Sequence, residues 1–194
     1  MSEDMRERIL DATVQVLRRH GPAKSSVVDV ARALGMSHGN VYRHFASKRD
    51  LLDAVATRWL HAISGPLESI IIERRPAADR LRRWFKALLA AKRRKVLDDP
   101  ELFTMYQSIA EGAHGVVAEH VATLHRQLAA ILADGVRRKE FKIKDPKAAA
   151  QAVFDAATRF HHPSHVARDR NRPVGQELER VLALVLAGLR TGVV

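Results

Sequence analysis

Apolar residues recur at helical spacing from the start of the chain. Ile9, Leu10, Ala12, Val14, Val16 and Leu17 mark an amphipathic helix from about Met5 to Arg19, ended by His20-Gly21-Pro22. Ser26 with Asp29 three residues on gives a capping-box-like start to a short second helix, whose Val27, Val30, Ala31 and Leu34 share a face before Gly35. "MSHGNVYRHF" follows, with Met36, Val41, Tyr42 and Phe45 as its apolar set and Ser37 placed to cap a third helix of little more than two turns. Ser47 and Asp50 repeat the capping signal, and Leu51, Leu52, Val55, Trp59, Leu60 and Ile63 carry a longer fourth helix to Gly65-Pro66.

Beyond that compact unit the pattern predicts long helices separated by Pro and Gly, at about 76–97, 100–114, 115–139, 145–160 and 176–192. No segment alternates convincingly as a strand. Ile70, Ile71 and Ile72 are β-branched, but the triplet is short and joins the helical pattern on either side. The fold class predicted is all-α, with a small N-terminal helical domain over 1–47 and a larger helical domain over 48–194, the helix at 48–64 connecting them.

The stretch "GMSHG", Gly35 to Gly39, fits two incompatible chemistries. As G-x-S-x-G it matches the nucleophile elbow of serine hydrolases, with Ser37 attacking. An elbow needs a buried strand before the turn, whereas the preceding segment has helical spacing, with Asp29 and Arg32 on its outer face, and no acid and base can be assigned to serve Ser37. A helix-turn-helix explains more residues: Gly35 makes the turn, Met36 plugs the angle, and Ser37 caps the helix that enters the major groove.

Charge supports the second reading. The formal net charge of +11 favours an anionic partner such as nucleic acid. With no cysteine there is no disulfide, thiol chemistry or Cys-ligated zinc. The N-terminal residues lack the pattern of a signal peptide, and no apolar run approaches the length of a membrane span, so a cytoplasmic protein without a membrane partner is expected. The densest basic stretch, "RRPAADRLRRWFKALLAAKRRK", lies outside the motif and is expected to be a solvated face of snorkelling side chains, the alternatives being an extension of the electrostatic footprint or the lining of a pocket for an anionic ligand.

Residues 5–55, above all "GMSHGNVYRHFASKRDLLDAV", resemble the DNA-binding region of the TetR family of transcriptional regulators. The resemblance implies a three-helix reading head, a more variable helical domain for effector binding and dimerisation, and no enzymatic role. Its partners would be a palindromic duplex DNA operator, a small-molecule effector that releases a repressor, and a second copy of the chain; no cofactor is implied. Carried over by position, it makes Ser26, Tyr42 and Lys48 phosphate contacts, side chains whose donors suit phosphate. Val28, Ser37, His38, Gly39, Asn40 and Arg43 fall at or beside the groove, with His44 near phosphate. Arg43 has the fork to pair with guanine and Asn40 the amide to pair with adenine. Gly39 fits either a close approach to DNA or the geometry of the turn.

In the larger domain, Trp84, Phe85, Leu88, Phe103, Met105, Tyr106, Phe154 and Phe160 are candidate lining for the effector pocket, with ordinary core packing as the alternative. Ala148, Ala149, Ala152, Val153 and Ala156, with Leu178, Val181, Leu182, Leu184, Val185 and Leu189, are candidates for the dimer interface. In "FHHPSH", His161 and His165 have i, i+4 spacing and with His162 raise the question of a metal. Pro163 interrupts the helix that would align them and no carboxylate completes the set, so no metal is expected. His114, His120 and His125 are too scattered to define a site.

Overall fold

The computed structural model describes residues 2–111 and 115–192. Among them there is no strand, and the helices are α1 (Ser2–Lys24), α2 (Val27–Ala33), α3 (His38–Tyr42), α4 (Lys48–Ser64), α5 (Glu68–Ile71), α6 (Ala77–Asp98), α7 (Pro100–Glu111), α8 (Gly115–Arg137), α9 (Pro146–Ala156), α10 (Pro163–Arg168) and α11 (Gly175–Thr191). Single 3₁₀ turns cover Gly65–Leu67 and Thr158–Phe160. They form two compact units, Met1–His61 with Asp98–Val117, and Ala62–Leu97 with Ala118–Val194.

In the first unit α1 buries Ile9, Leu10, Val16 and Leu17 and packs against both α2 and α7. Its regular geometry breaks at Gly21 (φ 71°), where the sequence places the end of the first helix, and one further turn follows Pro22. Ser26 and Asp29 form a complete capping box: the Ser26 hydroxyl accepts from the Asp29 amide at 3.2 Å, and the Asp29 carboxylate accepts from the Ser26 amide at 3.1 Å. Gly35 then takes φ 65°, a left-handed conformation that costs glycine nothing, and lets the Met36 amide reach back to the Ala31 carbonyl at 3.0 Å. Val41 and Phe45 turn into the core. Regular α3 ends at Tyr42, shorter than the pattern suggests, although turn bonds from Arg43, His44 and Phe45 continue it by three residues. Ser47 accepts from the Asp50 amide at 3.0 Å and starts α4.

α7 completes this unit. Phe103 and Tyr106 meet Trp59 of α4, with ring centroids 6.2 and 5.1 Å apart, and Arg18 of α1 pairs with Asp99 at 2.5 Å.

The second unit is built on α6 and α8. Trp84 donates from its indole to the Gln127 side-chain oxygen at 3.0 Å, and Gln127 in turn donates to the Ser64 carbonyl at 2.9 Å. Ala77, seven residues before Trp84, lies against Gly135, eight after Gln127, so the helices run antiparallel. α9 and α11 pack together, and Val153 and Phe154 on one and Leu178, Leu182, Leu186 and Leu189 on the other are buried. Pro163, which the sequence pattern treats as an interruption, separates His161 from His165 and occupies the first turn of α10, where its missing N–H costs no bond.

The basic stretch in α6 is only partly the solvated face expected. Arg80 and Lys92 in it are buried. Arg80 bonds Asp134 and the Ile71 carbonyl, whereas Lys92 has no carboxylate beside it among the described residues.

Candidate nucleic-acid interface and effector site

Helix α3 turns one face inward and one outward. Val41 and Phe45 are buried, while Ser37, His38, Gly39, Asn40, Tyr42 and Arg43 are all exposed and His44 is half-buried. Tyr42 is 44% exposed, unusual for an aromatic beside a packed valine, and its ring meets His38 edge-on at 6.3 Å. Ser37 occupies the N-cap position with extended backbone, but its hydroxyl makes no capping bond. That leaves the exposed Ser37 hydroxyl uncommitted to the helix it precedes, while the Asn40 amide bonds the Ser37 carbonyl at 3.0 Å. Residues 27–33 before it are helical, so the strand that a nucleophile elbow requires is missing.

α2 adds Val28, half exposed beside buried Val27 and Val30. Ser26 is placed differently from Tyr42. Its hydroxyl proton is directed at Asp29 at 2.6 Å, and that hydrogen bond, ahead of the nearby cations, holds the Asp29 carboxyl below the usual carboxylate range. Lys48 opens α4 exposed, yet its ammonium donates to the Ser25 carbonyl at 2.6 Å and so clamps the start of α4 to the loop before α2. From α1, Arg6 lies 4.2 Å over the Phe45 ring and donates to the His44 carbonyl at 2.9 Å, bracing the end of α3. The sequence reading overlooks this support, for which Arg6 carries no motif.

The eight candidates for the effector pocket divide between the two units. Phe103, Met105 and Tyr106 belong to the first unit, where burial pushes the Tyr106 phenol up to about 12. Trp84, Phe85, Leu88, Phe154 and Phe160 belong to the second, and each is buried. Of the dimer candidates, Ala149, Val153, Leu178, Leu182 and Leu189 point into their own subunit. Ala148, Ala152, Ala156 and Leu184 face outward, and Val181 and Val185 are half-buried.

The histidines sort equally clearly. His161 donates from Nε2 to the Phe154 carbonyl at 2.8 Å and stacks on the Phe154 ring at 3.7 Å, whereas His162 and His165 face each other at 5.5 Å at the start of α10. Among the described residues no group of His, Cys, Asp and Glu is arranged to hold a metal. His114 lies outside the described residues. His120, which spacing alone leaves isolated, is buried near Lys92 and His161. Desolvation first, then the charges of Lys92 and His161, pulls it down to about 3. Desolvation likewise lowers His161 to about 4 and Lys92 to about 8.

Comparison with known proteins agrees with this arrangement. Residues 9–55 match the family described as bacterial regulatory proteins, tetR family, and residues 77–182 match the tetracyclin repressor-like C-terminal domain. The chain belongs to the TetR family of transcriptional regulators. Among curated TetR-type relatives, an HTH-type transcriptional repressor of Mycobacterium tuberculosis is 38% identical over 67 aligned residues, covering 31% of this chain and 36% of that protein. The HTH-type regulator SrpR of Pseudomonas putida is 34% identical over 62 residues, 32% of this chain and 29% of its own. The chain thus spans about a third of the curated relatives it matches. Solved TetR-type folds extend over nearly the whole chain. A TetR-family regulator from Mesorhizobium loti superposes with TM-score 0.70 at 19% identity, covering 98% of this chain and 96% of that one. FadR from Bacillus subtilis, in complex with stearoyl-CoA, gives 0.68 at 22% identity over 94% and 98%. Among the described residues no helix is long and apolar enough to cross a membrane.

Proposed function

We propose that this chain is an operator-binding repressor, dimeric in its working form, whose second unit takes a small-molecule effector that releases it from DNA. The observation that carries the reading is the outward row of His38, Asn40, Tyr42 and Arg43 on a helix anchored by Val41 and Phe45. A short rigid helix with donors on its free face is what the major groove accepts. Asn40 and Arg43 read base edges; Tyr42 and Lys48 hold phosphate, with His38, Ser37, His44 and Val28 at the margin of the contact. Ser26 acts chiefly as a cap, since its hydroxyl proton is already engaged.

One head covers few base pairs, so two copies with heads about 34 Å apart, or a multiple of that, would read a palindromic site. The outward row of α11, with Leu184 76% exposed between half-buried Val181 and Val185, supports a helix-pair interface. An effector in the second unit, among Trp84, Phe85, Leu88, Phe154 and Phe160, releases DNA only by binding one arrangement of the dimer better than the other. FadR of Bacillus subtilis with stearoyl-CoA and FadR of Thermus thermophilus with lauroyl-CoA show ligands with long apolar portions in this fold, which supports an effector with an apolar body here.

The test is selection of bound fragments from the source genome, followed by titration of the recovered operator. Lys48→Ala should weaken binding to every sequence alike and lower the salt slope by about one, whereas Arg43→Ala should relax sequence preference at one base pair at a cost of about 1–3 kcal/mol. If Tyr42→Phe, Lys48→Ala and Arg43→Ala all bound the operator as the parent chain does, the assignment of α3 as the reading helix would be wrong.

A further inference from the structure

The core of the second unit contains a positive charge that no carboxylate among the described residues answers. Lys92 is 6% exposed, and its ammonium donates to the His161 carbonyl at 2.7 Å, leaving two N–H groups to satisfy. The antiparallel register that sets Trp84 against Gln127 carries Lys92, two turns further along α6, to the level of His120, two turns back along α8. His120 is 5% exposed, and its Nε2 has no hydrogen-bond partner. His125, one turn further along α8, has its Nε2 buried and unpartnered as well and sits edge-on to Phe154 at 4.7 Å. Three elements, α6, α8 and the segment from Phe154 to His161, therefore bring together an ammonium and imidazoles, with no carboxylate among the described groups.

Such a cluster is costly to bury empty. An ammonium bonded to one carbonyl and lacking a counter-charge, and a polar nitrogen without a bond, each disfavour the folded state, whereas apolar side chains of similar volume would not. Arg80, buried on the same helix, shows the contrast: it is answered by Asp134. Lys92 has no such answer. Buried apolar side chains flank these groups: Leu88 and Val96 lie one turn to either side of Lys92 on α6, Leu124 one turn from His120 on α8, and the Phe154 ring stacks on His161.

We propose that Lys92 and His120 form the anion-binding end of the effector site and take the carboxylate of a small acid with an apolar body. The ammonium donates to one carboxylate oxygen and His120, protonated at Nε2, to the other; the hydrocarbon part lies against Leu88, Leu124 and Phe154. A single buried ammonium matches a monoanion. The polyphosphate of an acyl-CoA carries several charges and would need an array of cations open to solvent. This inference rests on the reading of the chain as an effector-controlled regulator and names the class of effector.

Octanoate, octanol and octanoyl-CoA are the probes, read by thermal shift and by tryptophan fluorescence, neither of which needs DNA, and then by release of the recovered operator. Octanoate should raise the melting temperature and release the operator, and octanol at the same concentration should do neither. Lys92→Met, which keeps the volume and removes the charge, should fold, bind operator and lose octanoate affinity by at least about thirtyfold. Should Lys92→Met fail to fold, His120→Leu carries the test, with an expected loss of about tenfold. Octanol acting as well as octanoate, variants binding octanoate like the parent, or no response to octanoate would each overturn the proposal. If octanoyl-CoA alone released operator, and did so equally from the parent chain and Lys92→Met, the effector reading would stand and this anchor would fall.

Discussion

Gly39 is the residue whose role the structure sharpens most. Its position in "GMSHG" is compatible with a turn, but the turn belongs to Gly35, which takes the left-handed conformation, while Gly39 lies inside α3. A Cβ added there would meet nothing nearer than the Ser37 hydroxyl oxygen at 3.8 Å. Nothing within the chain therefore requires glycine, and helix propensity argues against it. Alanine at this position should stabilise the head by about 0.5–1 kcal/mol in urea denaturation. If the missing side chain lets the groove wall approach α3, Gly39→Ala should also weaken operator binding at least about fivefold, so stability and binding would move in opposite directions. A variant that gained stability and bound equally well would show that Gly39 makes no approach to DNA. The candidate interface residues could be named from sequence because they follow a local motif, and α3 presents them outward. The nearness of Lys92 to His120 could not, since 28 positions of sequence separate two residues that only the packing of α6 on α8 brings to one level.

At the scale of elements, capping chemistry and helical periodicity located most of the helices, because both are written in residues three or four apart. Pro163 shows how such signals work: it keeps His161 and His165 off a common helix by starting α10 between them. The misreading in α6 has a local cause. Arg80 and Lys92 have the composition of a surface but stand on the apolar line of α6 with Leu81, Trp84, Leu88 and Val96, a spacing that places them inside. The seam between α6 and α8 makes its own demand. A Cβ on Gly135 would come within 2.3 Å of the Phe141 ring and 2.9 Å of Ala77, and no side chain there can swing clear without disturbing both. Gly135→Ala should cost about 1–3 kcal/mol, visible as a lower urea midpoint, with DNA contacts intact at temperatures where the variant remains folded. A neutral result would mean that the two helices have slack at this crossing.

For the molecule as a whole, the apolar residues of α11 divide into a buried set and an exposed position, to which the proposed dimer interface assigns different duties. Leu178, Leu182, Leu186 and Leu189 are buried within the subunit; Leu184 is exposed, on a different face. Sequence periodicity shows that the helix is apolar on more than one side, but an inward leucine and an interface leucine have the same side chain, and only burial separates them. Leu184→Glu should leave the circular dichroism spectrum and melting of the subunit nearly unchanged while shifting sedimentation from dimer to monomer at micromolar concentration. Operator affinity should fall with it, since one head then binds alone. A variant that stayed dimeric would place the interface elsewhere.

The first unit is not a continuous piece of chain. α7 arrives from some forty residues beyond α4 to lie against α1, and Phe103 and Tyr106 complete the aromatic cluster of Trp59. This limits how such regulators can be recombined. A graft cut once after α4 would carry the reading helix to a new host but leave behind the surface on which α1 rests, along with the Asp99 partner of Arg18. Exchange of specificity between relatives is therefore constrained to two routes: replacing the few outward positions of α3 in place, or moving α7 together with the head as one inheritance.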